Sequence, residues 1–224
     1  MNSSVWLGIA ALFVAYVLIK ILPRLLLRFV GRGILTAVGK DAMAKVPEQI
    51  WLARVAAPQW KDEAAIQQQT ASLGRVGFND LGTYSVDKMP GVLVRMLFQP
   101  KTYVAAHLTE HPKAGGWIEF ATRYSDGSSD FLTTLPDQGI APPPFTRNTR
   151  ADKSAPADRL YQQHLEKRKS SGIKAVTSNE VVHEFELAYL RYMVWKNDKG
   201  LSPEEVARVT LKWAKAKGQA AGRD

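Results

Sequence analysis

From Val5 to Leu22 almost every position is apolar: Val-Trp-Leu-Gly-Ile-Ala-Ala-Leu-Phe-Val-Ala-Tyr-Val-Leu-Ile-Lys-Ile-Leu, with Lys20 the single charge. A helix rises ~1.5 Å per residue, so about 20 apolar residues cross a bilayer. The pattern predicts a transmembrane helix within residues 1–22, with Lys20 snorkelling to the interface. A buried core helix is the alternative, but such helices seldom run this long without a polar face. The flanks carry no Lys or Arg before the run, and Lys20, Arg24, Arg28, Arg32 and Lys40 after it. The positive-inside rule then places the C-terminal bulk in the cytoplasm, as a single-pass protein of the cell (inner) membrane. A cleaved signal peptide fits poorly, because a basic n-region and a small-x-small cleavage site are both missing.

Over residues 23–46 the pattern changes to a basic amphipathic one. Arg24, Arg28 and Arg32 recur every fourth residue, with Leu25, Leu26, Phe29 and Val30 among them. A cationic stripe beside an apolar face describes a helix in the headgroup zone, where anionic lipid attracts each cation by ~1 kcal/mol. One long helix kinked at Pro23 would keep the same arginines at the interface. Anionic headgroups are the expected partner of Lys20, Arg24, Arg28 and Arg32.

Residues 47–217 read as one α+β domain. Pro47 and Glu48 can open a helix running through Val55. Asp62 suits the N-cap of a second helix, Glu63 to Leu73, with Gly74 as its stop. Five strand-like runs follow: 82–86, 92–98, 103–108, 117–124 and 129–135. Together they predict an antiparallel meander packed by C-terminal helices. Asp126-Gly127 between the last two runs is a strong hairpin signal. A two-residue turn would set Arg123 opposite Asp130, Thr122 opposite Phe131, Phe120 opposite Thr133 and Ile118 opposite Leu135. That register puts Ile118, Phe120, Phe131 and Leu135 on one core-facing side. Residues 139–157, with Pro142-Pro143-Pro144, read as a stiff connecting loop.

Helical spacing returns in three places. A helix from about Pro156 carries Leu160, Tyr161, His164 and Leu165 on one face and ends at Lys167, Arg168 and Lys169. A longer one, Asn179 to Lys196, has Ser178 as N-cap and buries Val181, Phe185, Tyr189 and Met193. Ser202-Pro203-Glu204-Glu205 starts a last helix burying Val206, Val209 and Trp213. Residues 218–224 read as a flexible tail.

The net charge of +9 could suggest nucleic acid. Part of it flanks the apolar run, and no zinc-knuckle or RNA-binding signature accompanies the rest, so lipid is the expected anionic partner. Hydrophobic content of 46% is ordinary for a folded domain, and the absence of Cys removes disulfides and lipoprotein attachment.

One pattern carries candidate chemistry. His107-Leu108-Thr109-Glu110-His111 has the H-x-x-E-H spacing of inverted zincins, which needs both histidines on one helix face. The surrounding pattern is a strand ending in a turn at Pro112. There His107 and His111 would lie ~13 Å apart and could not share one ion. Glu119 and Glu184 are the candidate third ligands if a metal site existed. No cofactor pattern is present, and none is expected.

Gly77-Phe78, Gly82-Thr83-Tyr84, Phe120-Ala121-Thr122-Arg123-Tyr124-Ser125-Asp126-Gly127 and Leu160-Tyr161-Gln162-Gln163-His164 resemble segments of uncharacterised bacterial proteins. The resemblance covers roughly residues 70 to 170. It implies an N-terminal anchor joined to a small α+β domain, and no reaction.

The sequence as a whole reads as a membrane-anchored, non-enzymatic binding or scaffold protein. The alternatives are a membrane-tethered metal-dependent hydrolase using His107, Glu110 and His111, and a subunit of a larger membrane complex. For the last, the small residues Gly8, Ala11 and Ala15 would permit close helix packing.

Overall fold

A computed structural model describes residues 47–112, 114–137, 140–200, 202 and 205. The apolar run, the arginine stripe at Arg24, Arg28 and Arg32, the buried side expected for the last helix and the tail lie outside these residues. Among the described residues, no helix is long and apolar enough to cross a membrane.

The chain from Pro47 to Gly200 is an α+β unit built on a seven-stranded, mostly antiparallel sheet in the order β1 to β7. The strands are β1 (Leu52–Val55), β2 (Asn79–Val86), β3 (Leu93–Gln99), β4 (Val104–His111), β5 (Gly115–Arg123), β6 (Ser129–Thr133) and β7 (Thr146–Arg150). Three helices pack on the sheet: α1 (Glu63–Arg75), α2 (Ala157–Lys167) and α3 (Val181–Lys199).

Two readings of the local pattern are corrected. Residues 52–55 form an edge strand rather than a helix, because Leu52 pairs with Val86 and its N–H donates to Glu186 Oε1 at 2.8 Å. The proline-rich connection holds β7, which pairs in parallel with β6. β7 reads Thr-Arg-Asn-Thr-Arg and has no apolar alternation to announce it. Charged residues are what a sheet edge tolerates.

The β5–β6 register is displaced by one residue from the expected one. Arg123 pairs with Ser129, Thr122 with Asp130, Ala121 with Phe131 and Phe120 with Leu132. The turn holds three residues: Gly127 N–H donates to Tyr124 O and Tyr124 N–H donates to Ser128 O, both at 3.0 Å. Gly127 takes a φ of +80°, the left-handed position such loops require. A shift of one flips a whole strand. Phe131 therefore leaves the Phe120 side, and Asp130 joins it.

Both faces of the sheet are covered, not one. The first face packs Leu97, Leu108, Ile118, Phe120 and Leu132 against α1 and α2 through Leu73, Leu160 and Tyr161. The second packs Val94, Met96 and Phe98 against Val181, Phe185 and Tyr189 of α3. The α1 N-cap is Asp62, which accepts from Ala65 N–H at 3.0 Å. The helix ends at Arg75, and its C-cap is Val76 rather than Gly74. Gly77 and Phe78 donate to Gly74 O and Leu73 O at 3.0 and 3.1 Å, with Gly77 at φ +88°. The α3 N-cap position is Glu180 rather than Ser178, and Glu180 Oε2 accepts from the Thr177 N–H at 2.8 Å. Ser202 and Glu205 form the reciprocal capping pair expected at the start of the last helix, with bonds of 2.9 and 3.2 Å.

Candidate functional site

α3 buries its apolar side over β2 to β4 and leaves a concavity over β5 to β7. This groove has a volume of about 380 Å³. Its floor is Phe131, turned to this face by the three-residue hairpin. Leu135, Phe145 and the Pro142-Pro143 segment wall one side, and Ala188 and Tyr192 of α3 wall the other. The prolines fix backbone angles, so that wall is stiff. A mostly apolar hollow of this size with a few convergent polar groups is the usual form of a small-molecule site.

Two arginines mark the hairpin end of the groove, while Glu119, Thr133 and Arg150 line the other end. Arg123, the last residue of β5, donates from Nη1 to Ser129 Oγ at 2.9 Å, and its Cζ lies 5.0 Å from the Phe131 ring centre. Burial pushes its guanidinium below the ordinary value; Glu119 and Glu184 oppose that shift, and Arg191 adds to it. Arg191 reaches from α3 toward the hairpin, with its Cζ 5.5 Å from the Phe145 ring centre. A Cβ on Gly127 would stand 2.8 Å from Arg191 Nη2, so glycine leaves room for this reach. A second hollow of about 310 Å³ adjoins here, sharing Arg123, Arg191 and the hairpin turn with the groove. Lys174 enters it already paired with Glu184.

Beneath α3 lies a third, small hollow of about 20 Å³ lined by His107, Arg123, Glu184 and Phe185. His107 is 2% exposed, and neither ring nitrogen has a hydrogen-bond partner among the described residues. Its ring stands edge-to-face with Phe185 at 4.8 Å, and Nδ1 is 3.7 Å from Glu119 Oε1. Glu119 also lines the large groove.

The H-x-x-E-H residues do not converge. β4 alternates, so His107 faces α3 with Met96 as its neighbour, while Glu110 lies on the opposite face. The Glu110 carboxylate accepts from Lys61 N–H at 3.0 and 3.1 Å, tying down the chain ahead of α1. His111 ends the strand, and its Nδ1 accepts from Ala114 N–H at 3.2 Å. Among the described residues, no three potential ligands are grouped for a metal.

A polar network lies on the other face of the sheet. Asp130 is 4% exposed and accepts from Tyr124 Oη at 2.7 Å, Lys169 N–H at 2.9 Å and the Arg147 guanidinium. Burial alone would raise its carboxyl, but these donors outweigh burial and hold it below the ordinary range. Burial and the same Asp130 bond push the Tyr124 phenol upward. Nearby, His164 Nε2 lies 2.8 Å from Thr122 Oγ1. Burial, then Arg168, pushes His164 down to about 4, so it stays neutral. Asp130, Tyr124, Thr122 and His164 are buried, and they hold α2 and the chain after it to the sheet.

Sequence reading names Arg123 only as a partner for Asp130, and it misses Arg191 and the groove walls. No local pattern joins them, since hairpin, proline segment and α3 meet only in the folded chain. Comparison with protein-family models, curated proteins and solved structures finds no match.

Proposed function

We propose that this chain is a membrane-anchored, non-enzymatic binding protein whose groove over β5 to β7 holds a small ligand at the cytoplasmic face. The observation that carries the reading is the groove itself, a mostly apolar hollow of about 380 Å³ with Arg123 and Arg191 at its hairpin end and Glu119 and Arg150 at the other. The membrane part rests on the sequence: the apolar run Val5 to Leu22, followed by Lys20, Arg24, Arg28 and Arg32 facing anionic headgroups. A hydrolase built on His107, Glu110 and His111 is less well supported, because the strand sends Glu110 to the far side of the sheet from His107.

Hydrogen exchange of the full-length protein in lipid nanodiscs tests the groove, with 1-octanol as a small neutral probe. Exchange is expected to slow over residues 129–150 and the middle of α3, and to stay unchanged in Ala188→Trp, which fills the hollow. Exchange that octanol leaves unaltered in every segment ends the reading.

A further inference from the structure

We infer that the groove selects an amphiphile with one apolar chain and a carboxylate head, seated with its head between Arg123 and Arg191. This deepens the binding reading above and rests on it. Three observations converge. Four cationic side chains, Arg123, Arg150, Arg191 and Lys174, line the two adjoining hollows against two carboxylates, Glu119 and Glu184. Lys174 and Glu184 neutralise each other, and Arg150 is occupied by a bond from Nη1 to Leu135 O. Glu119 then remains against three arginines, an excess of two positive charges, and neither Arg123 nor Arg191 has a carboxylate within ion-pair distance among the described residues.

Their repulsion is the second observation. Arg191 shares the lining of both hollows with Arg123 and adds a small lowering of its guanidinium to that of burial, against the larger opposing pull of Glu119 and Glu184. Two like charges held together at the mouth of an apolar hollow are relieved by one anion between them. Guanidinium forks fit a planar carboxylate with paired hydrogen bonds. The third observation is the direction of the groove. From the two arginines, which stand beside Phe145 and the proline wall, it continues over Phe131 toward Leu135, and Glu119, Thr133 and Arg150 line its far end. An apolar chain behind the head fills that path and desolvates the ion pair at its entrance.

The test compares octanoate with 1-octanol on the full-length protein in nanodiscs of zwitterionic lipid, read by hydrogen exchange of the groove segments. Octanoate is expected to reach half-protection at a concentration about tenfold or more below that of octanol. Arg191→Gln, at an exposed position that folding tolerates, should erase that ratio and leave the octanol half-point in place. Arg191→Lys should restore only part of it. Equal half-points for the two probes overturn the carboxylate assignment while the groove reading survives. The assignment also falls if the ratio persists in Arg191→Gln. If a chain ending at residue 200 binds octanoate and the full chain does not, the protein's own C-terminal segment is the occupant, and the inference fails.

Discussion

Asp130 of β6 and Arg147 of β7 are register partners across a parallel strand pair, and Asp130 accepts from both Nε and Nη2 of that arginine. The two residues are not equivalent. The Asp130 side chain is 5% exposed and that of Arg147 is 53% exposed. Removing the buried acceptor strands Lys169 N–H and leaves Tyr124 Oη only its longer bond to Lys169 O, whereas removing Arg147 takes away a group already half in water. Asp130→Ala is therefore expected to cost about 3 kcal/mol, and Arg147→Ala about 1 kcal/mol. Urea denaturation of both variants checks this, and equal losses would show that the network is not organised around Asp130.

Acid should weaken the fold in two steps. His164 is held down to about 4 against an ordinary value near 6.5, so between these values the unfolded chain binds a proton that the folded chain refuses. Stability is therefore intact above about pH 6.5 and falls as pH drops toward 4, by about 3 kcal/mol in all. Asp130 adds a later step. Its lowered carboxyl contributes fully above the ordinary value of 3.8, and that contribution is lost as pH falls through the lower folded value. Denaturation of His164→Gln at pH 7, at pH 4.5 and at about pH 2.5 should show the first step flattened between the first two and the second retained between the last two.

The meander was largely legible because β2 to β6 have apolar runs bounded by Gly, Pro and Asp. Its register was not. Asp-Gly signals a two-residue turn, but the Asp126 side chain accepts from Ser128 N–H at 2.8 Å and lengthens the turn by one residue. β1 and β7 are strands because of their neighbours. Leu52 needs Glu186 and Val86, and Thr146–Arg150 needs Asp130 and the rest of β6. The groove was illegible for the same reason, since Arg123 and Arg191 meet only after α3 crosses the sheet.

Gly127 links the turn to the groove. Ala at a φ of +80° is strained, and its Cβ would displace the Arg191 guanidinium. Gly127→Ala is expected to lose about 1–2 kcal/mol in thermal or chemical denaturation. The same variant should weaken octanoate protection more than octanol protection. An unchanged ratio would show that Arg191 does not depend on the turn.

Glu110 holds Lys61 N–H instead of an ion. Glu110→Gln is expected to cost about 1 kcal/mol. Prolonged dialysis against a chelator should leave the melting temperature of the full-length protein unchanged. A fall restored by one equivalent of zinc would contradict this placement of the H-x-x-E-H residues.

The chain contains no cysteine, so single introduced thiols report position without background. The most direct test of a membrane-anchored binding domain at the cytoplasmic face is labelling of Ser3→Cys and Ser125→Cys in intact cells with a membrane-impermeant maleimide. The expected result is that Ser3→Cys labels in intact cells and Ser125→Cys labels only after the membrane is opened. Labelling of Ser125→Cys from outside, or recovery of both variants in the supernatant without detergent, would contradict it.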